Sequence, residues 1–180
     1  MDANTIINFW FSTEVQPLWF NSTEAFDNKL KARFLDTWLA AADEQLESWR
    51  DSELGALALV IILDQFPLNI FRGKPLAFST DAQSRKVARH AIEQNLDQAL
   101  NDEQKAFLYM PFMHSELIED QNRSVALFEA AGLQDNARFA QHHREIVRRF
   151  GRFPHRNEIL GRTSTAEELE WLASDEAFHG

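Results

Sequence analysis

The stretch ELGALALVIILDQF, residues 53–66, decides the fold class. From Leu54 to Leu63 every position is apolar or glycine, so the segment reads as a helix covered by neighbours on several sides. Pro67 is expected to stop it, and PLNIFRGKP (67–75) reads as a turn-rich connection closed by Gly73 and Pro75. Asp64 ends the apolar run beside Asn69 and Arg72. A buried carboxylate with no partner costs several kcal/mol, so Asp64 calls for a mate, either Arg72 or an arginine of the 149–162 stretch.

Working outward, stripes with a 3.6-residue period recur along the chain and no period-2 alternation persists, which gives an all-α fold. Residues 4–11 form a short aromatic helix before a loop with Pro17. Asn21 and Glu24 are spaced as a capping box for a helix bearing Phe26, Leu30, Phe34 and Trp38 on one face. Thr80 with Gln83 and Asn101 with Gln104 mark two further starts. Pro111 opens or kinks a long helix to residue 131, ended by Gly132, and 135–150 is a helix ended by Gly151. FPHRNEILGR holds at most one helical turn, and Thr165 with Glu168 caps a last helix. Short connections between such helices imply antiparallel hairpins.

At 180 residues, 44% hydrophobic with five Trp and fifteen Phe, the chain is expected to form one domain, 1–180, with a real core. The absence of Cys excludes disulfides and thiolate metal sites. No signal peptide is apparent, and the apolar run is short of the roughly 20 residues of a membrane span. A soluble, cytoplasmic protein without membrane contact is expected. The net charge of −10 argues against nucleic-acid binding. That charge is uneven: residues 138–162 hold seven Arg, two Glu and no Lys, a net +5 against −15 elsewhere. Arginine without lysine suggests bidentate or stacked contacts.

Projecting 135–150 at 100° per residue places His143 amid Asn136, Phe139, Ala140, Ile146, Val147 and Phe150, with His142 on the far side. On the helix after Pro111, His114 and Gln121 share the stripe of Leu117, Ile118, Val125 and Phe128, while Glu116 points away. The stiff loop GRFPHRN then presents Arg152, His155, Arg156 and Asn157. These groups are either satisfied structural polars or a site. Arg148 and Arg149 have a purely local use, because cations complement a helix C-terminus. No HxxxH or HExxH spacing supports a metal, no cofactor motif occurs, and no G-x-S-x-G elbow supports a nucleophile.

LDQFPLNIFRG (63–73), FLYMPFMHSE (107–116) with Gln121, and HREIVRRFGRFPHRNEILGR (143–162) with STAEE (164–168) resemble a bacterial domain-of-unknown-function family, number 924 of its series. FWF (9–11), WF (19–20) and FDNKLKARF (26–34) extend the likeness over essentially the whole chain. The resemblance implies a tetratricopeptide-like helical fold and no particular reaction. The family pattern has Arg where this chain has Leu68. Matching positions include Asp64, Gln65, Arg72, His114, Glu116, Gln121, His143, Arg149, Arg152, His155, Arg156, Asn157 and Arg162.

Three functions follow as expectations. The first is a pocket for a small phosphate- or carboxylate-bearing ligand, lined by Arg72, Gln121, Arg149, Arg152, His155, Arg156, Asn157 and Arg162. If it is an enzyme, His114 or His143 is the acid–base group and Asp64 orients it. The second is a tetratricopeptide-like module gripping an acidic or carboxylate-ended peptide. The third makes 138–162 a structural lock on the C-terminal helix through Arg–carboxylate pairs.

Overall fold

The computed structural model describes residues 1–175 and Ala177, and every regular element among them is helical. The chain divides into two compact units, residues 1–72 with 76–111, and residues 73–75 with 112 onward.

In the first unit, α1 (Ala3–Trp10) is capped by Asp2, whose carboxylate accepts from Thr5 N–H at 2.8 Å. α2 (Glu24–Ala42) starts two residues later than the Asn21–Glu24 spacing suggests. Thr23 is its cap, accepting from Phe26 N–H, while Ser22 binds Asp27 at 2.6 Å. Phe26, Leu30, Phe34 and Trp38 are buried, as their spacing requires. α3 (Glu53–Val60) begins at Ser52, whose Oγ accepts from Gly55 N–H. The 3-10 turn Glu47–Asp51 lies so close that a Cβ on Gly55 would sit 2.1 Å from the Trp49 carbonyl oxygen.

Pro67 does not stop the apolar helix. A π-turn, Ile61–Gln65, follows α3, with Phe66 N–H reaching back to Ile61 O, and α4 (Phe66–Ile70) continues the rod. Proline lacks the N–H that would have bonded the carbonyl four residues back, which is that of Leu63. The buried Thr80 hydroxyl donates to that carbonyl at 2.6 Å and accepts from Trp38 Nε1 at 3.4 Å. The freed acceptor therefore keeps a donor, and the helix survives its proline. The same commitment explains why Thr80 makes no side-chain cap for α5 (Asp81–Glu93), and Gln83 instead donates to Ala42 O at 2.8 Å. Glu53–Ile70 is long and apolar enough by length and composition to cross a membrane, yet 83% of it is buried within the protein. Its neighbours are α1, α2 and α5.

Asn101 and Gln104 form the expected reciprocal box, each side chain bonding the other's backbone N–H at 3.0 Å, at the start of α6 (Asp102–Met113). Pro111 lies inside α6 rather than opening a longer helix, and the chain breaks instead at residues 114–117.

In the second unit, α7 (Ile118–Ala130) and α8 (Gln134–Phe150) pack on each other as a hairpin, and α9 (Ala166–Leu172) closes the described chain. Gly132 and Gly151 adopt φ of 74° and 71°, left-handed values that glycine takes at little steric cost. Ile146, Val147, Phe153 and Trp171 make the core here, with Ile118, Phe150 and Leu172 against them. Phe139, expected on the inward face of α8, is 61% exposed. A single projected stripe assumes one covering surface along the whole helix. Phe150 is covered by Trp171, whereas Phe139 lies nearer the hairpin tip and is left exposed.

Candidate functional site

The Arg-rich segment of the second unit first resolves into a lattice of ion pairs. Arg162 grips Glu116 with two parallel bonds, Nη1–Oε2 at 2.7 Å and Nη2–Oε1 at 2.9 Å, and also donates to Asn157 Oδ1 and to Phe153 O. Phe153 N–H adds a further donor to Glu116 at 2.8 Å. Arg152 grips Glu168 in the same forked way, at 2.6 and 2.8 Å, and also reaches Thr163 O. Asn157 Nδ2 donates to Ser164 Oγ and to Glu168. Glu168 itself completes the Thr165 capping box that starts α9. Arg149 pairs with Glu167 on the surface. Four of the arginine and asparagine positions singled out from the sequence (Arg149, Arg152, Asn157 and Arg162) are thus brought onto carboxylates or each other.

The electrostatic consequences are local. Hydrogen bonds from Arg152 hold the buried Glu168 carboxyl down at about 2, against the desolvation that would raise it. Burial pushes Glu116 upward, but the Arg162 and Phe153 bonds and the charges of Arg162 and Arg156 leave it below the usual carboxylate range.

Beside the lattice lies a second group, built around the buried ring of Phe153. Arg156, 7% exposed, places its guanidinium 4.8 Å from the Phe153 centroid. His143 meets the ring edge-on at 5.6 Å, and His155 lies at 5.6 Å on it. His143 Nδ1 is 2.8 Å from Phe139 O, one helical turn back. A carbonyl only accepts, so the proton sits on Nδ1 and Nε2 carries the lone pair. His143 faces inward and His142 outward, as their adjacency on α8 demands. His114 is not on the stripe of α7: it lies in the turn between α6 and α7. Gln121 pins that turn, its Nε2 donating to Met113 O at 2.7 Å and Ser115 O at 2.6 Å, while Ser115 Oγ binds Asp120 at 2.8 Å. His114 and Gln121 are thus associated through backbone rather than by helical stacking.

Desolvation lowers His143 to about 4, with the nearby charges of His114, His142 and Arg156 acting the same way and the Phe139 bond opposing them. A histidine whose folded pKa is depressed takes up fewer protons than the unfolded chain, so its contribution is present above pH 6.5 and is lost as pH falls toward 4. At about 1.4 kcal/mol per unit, that loss is on the order of 3 kcal/mol. Thermal melts between pH 7.5 and 4 are expected to show this slope, and His143→Gln is expected to flatten it. An unchanged slope in the variant would assign it elsewhere.

In the first unit, Arg72 binds Asp27 at 2.8 Å and Asn69 Oδ1 at 3.0 Å, so its carboxylate is Asp27 rather than the expected Asp64. Asp64, 1% exposed in the π-turn, accepts from Gln65 Nε2 at 2.6 Å. Sequence reasoning missed Glu168 as the hub of the lattice, because its capping-box spacing already gave it a use. It also missed Phe153 as the platform and Ser124, fully buried on α7 without a hydrogen-bond partner. Among the described residues no three His, Asp or Glu side chains group so as to hold a metal ion.

No curated protein matches the chain. Among solved structures it is similar to the Protein of Unknown Function ATU0120 from Agrobacterium tumefaciens, at 42% identity over 95% of this chain and 96% of that one, with a TM-score of 0.89. Its sequence fits one family model over residues 6–176, and the chain belongs to that family, described as Bacterial protein of unknown function (DUF924).

Proposed function

We propose that the second unit is a binding site for a small anion, a phosphate or carboxylate, centred on Arg156 with His114, His143 and His155 around Phe153, in a cytoplasmic protein. The observation that carries this reading is the burial of the Arg156 guanidinium on an aromatic platform among imidazoles. Taking a guanidinium out of water is costly, and a rigid fork stacked on an aromatic ring is a preferred way to recognise oxyanions. His114 and His155, only half-buried, provide the approach. His143 would act as a hydrogen-bond acceptor and, in a reaction, as the proton acceptor at Nε2.

The peptide-binding reading has weaker support. Arg152 and Arg162, the forks suited to a peptide carboxylate, already chelate Glu168 and Glu116. The hairpin of α7 and α8 is compatible with tetratricopeptide-like stacking, but likeness of fold is not evidence of ligand.

Thermal shift with inorganic phosphate and with acetate tests the proposal. A ligand at a hundred times its Kd adds about 2.7 kcal/mol, which for a chain of this size raises Tm by roughly 5–10 °C. Arg156→Met, close in length and uncharged, is expected to abolish the rise. The reading fails if neither anion shifts the wild type, or if the shift survives in Arg156→Met.

A further inference from the structure

Resting on that reading, we propose that the site selects anions that also carry a hydroxyl group, hydroxy acids or phosphorylated alcohols, over the same anions without one. The inference stands on Gln121. Its side chain is fully buried, and its amide nitrogen is held by two backbone carbonyls, those of Met113 and Ser115. Turning the amide over would set oxygen against oxygen twice, so the orientation is fixed. Oε1 is thereby presented away from the turn, and no protein group donates to it. One turn further along α7, Ser124 Oγ is also buried and also without a partner.

Hairpin geometry places these atoms opposite the inward face of α8. Gln121 and His143 lie eleven residues either side of Gly132, and Ser124 and Ala140 eight residues either side. In an antiparallel pair those positions stand at matching heights, so Gln121 faces the level of His143 and Ser124 the small Ala140. The Phe139 bond fixes the tautomer of His143 so that its Nε2 is an acceptor. Two acceptors of enforced orientation thus occupy one level of a hairpin whose neighbouring loop carries the donor-only Arg156. A plain carboxylate satisfies the arginine and brings no donor for Gln121. A hydroxyl two or three bonds from the anionic group supplies one.

A buried acceptor left without a donor costs about 1–3 kcal/mol, and sites built around such groups discriminate steeply against ligands that lack the matching hydroxyl. Calorimetric titration of the full-length wild type at pH 7 with glycolate, acetate and inorganic phosphate reads this directly, since glycolate is acetate bearing one hydroxyl. Glycolate is expected to bind at least about tenfold more tightly than acetate. In Gln121→Met the ratio is expected to fall to within about twofold. That variant also removes the pin on the 113–115 turn, so the comparison of the two acids on the wild type stands as the decisive measurement whether or not it folds. Equal binding of glycolate and acetate would overturn this inference and leave the anion site intact. Failure of glycolate, acetate and phosphate alike would overturn the anion site, and this inference with it.

Discussion

Gly55→Ala is expected to destabilise the first unit by about 3 kcal/mol, a fall of roughly 6–12 °C in Tm for a chain of this length. The cause is not helix propensity, which favours alanine. A methyl group at this position would meet the Trp49 carbonyl oxygen at 2.1 Å and the Ser52 hydroxyl at 2.6 Å. Neither is the far end of a flexible side chain. The carbonyl belongs to the turn Glu47–Asp51, and the hydroxyl is the cap of α3. Relief therefore requires α3 to withdraw from the turn, and α3 is buried on every side. Overpacking a rigid interior commonly costs 1–3 kcal/mol, and a lost cap adds about 1. Chemical denaturation followed by tryptophan fluorescence measures the change, because Trp10, Trp19, Trp38 and Trp49 all lie in this unit. A variant as stable as the wild type would mean that the turn and α3 separate easily.

Glu168→Ala is expected to cost the second unit a similar amount, about 3 kcal/mol, for an electrostatic reason. Removing one partner of a buried ion pair leaves the other charge uncompensated, typically at 3–5 kcal/mol. Arg152 retains 27% side-chain exposure, which places the effect at the lower end. Thr165 N–H and Asn157 Nδ2 lose their acceptor in the same step. Glu168→Gln keeps one oxygen for these donors and is expected to lose about half as much. Replacing Arg152 and Glu168 together by methionine is expected to recover part of the loss, since no lone charge remains. Trp171, the one tryptophan of the second unit, reports this transition. If the double replacement were worse than Glu168→Ala alone, the pair would be stabilising beyond its mutual neutralisation.

The sequence made the helices legible wherever a local signal had no competitor. The Asn101–Gln104 and Thr165–Glu168 boxes, the glycines at 132 and 151, and the opposed fates of His142 and His143 all formed as spaced. It misled wherever a side chain had a distant alternative. Thr80 has the spacing of a cap but serves Leu63 O, because Pro67 left that carbonyl open. Ser22 engages Asp27 and the cap of α2 moves to Thr23. Within the candidate site, the arginines were visible as a composition anomaly, but their partners were not. Glu116 lies 46 positions from Arg162 and Glu168 lies 16 from Arg152, distances over which pattern carries no pairing information. Separating Arg156 from Arg152 and Arg162 needed coordinates, since all three share one loop and one residue type.

The π-turn at Ile61–Gln65 has a bearing on which changes this chain can tolerate. A turn closed by a five-residue step holds one residue more than an α-helix needs. Deleting any one residue there would leave a regular helix, yet would swing everything after it by roughly 100° about the axis. Asn69 and Arg72 would leave Asp27, and Leu63 would no longer stand four residues before Pro67 beneath the Thr80 hydroxyl. Exchanges among the apolar side chains of this rod are expected to be mild by comparison. The quantity most tightly constrained along Glu53–Ile70 is therefore its count of residues, and frame-preserving insertions or deletions, more than point replacements, are what this helix cannot absorb.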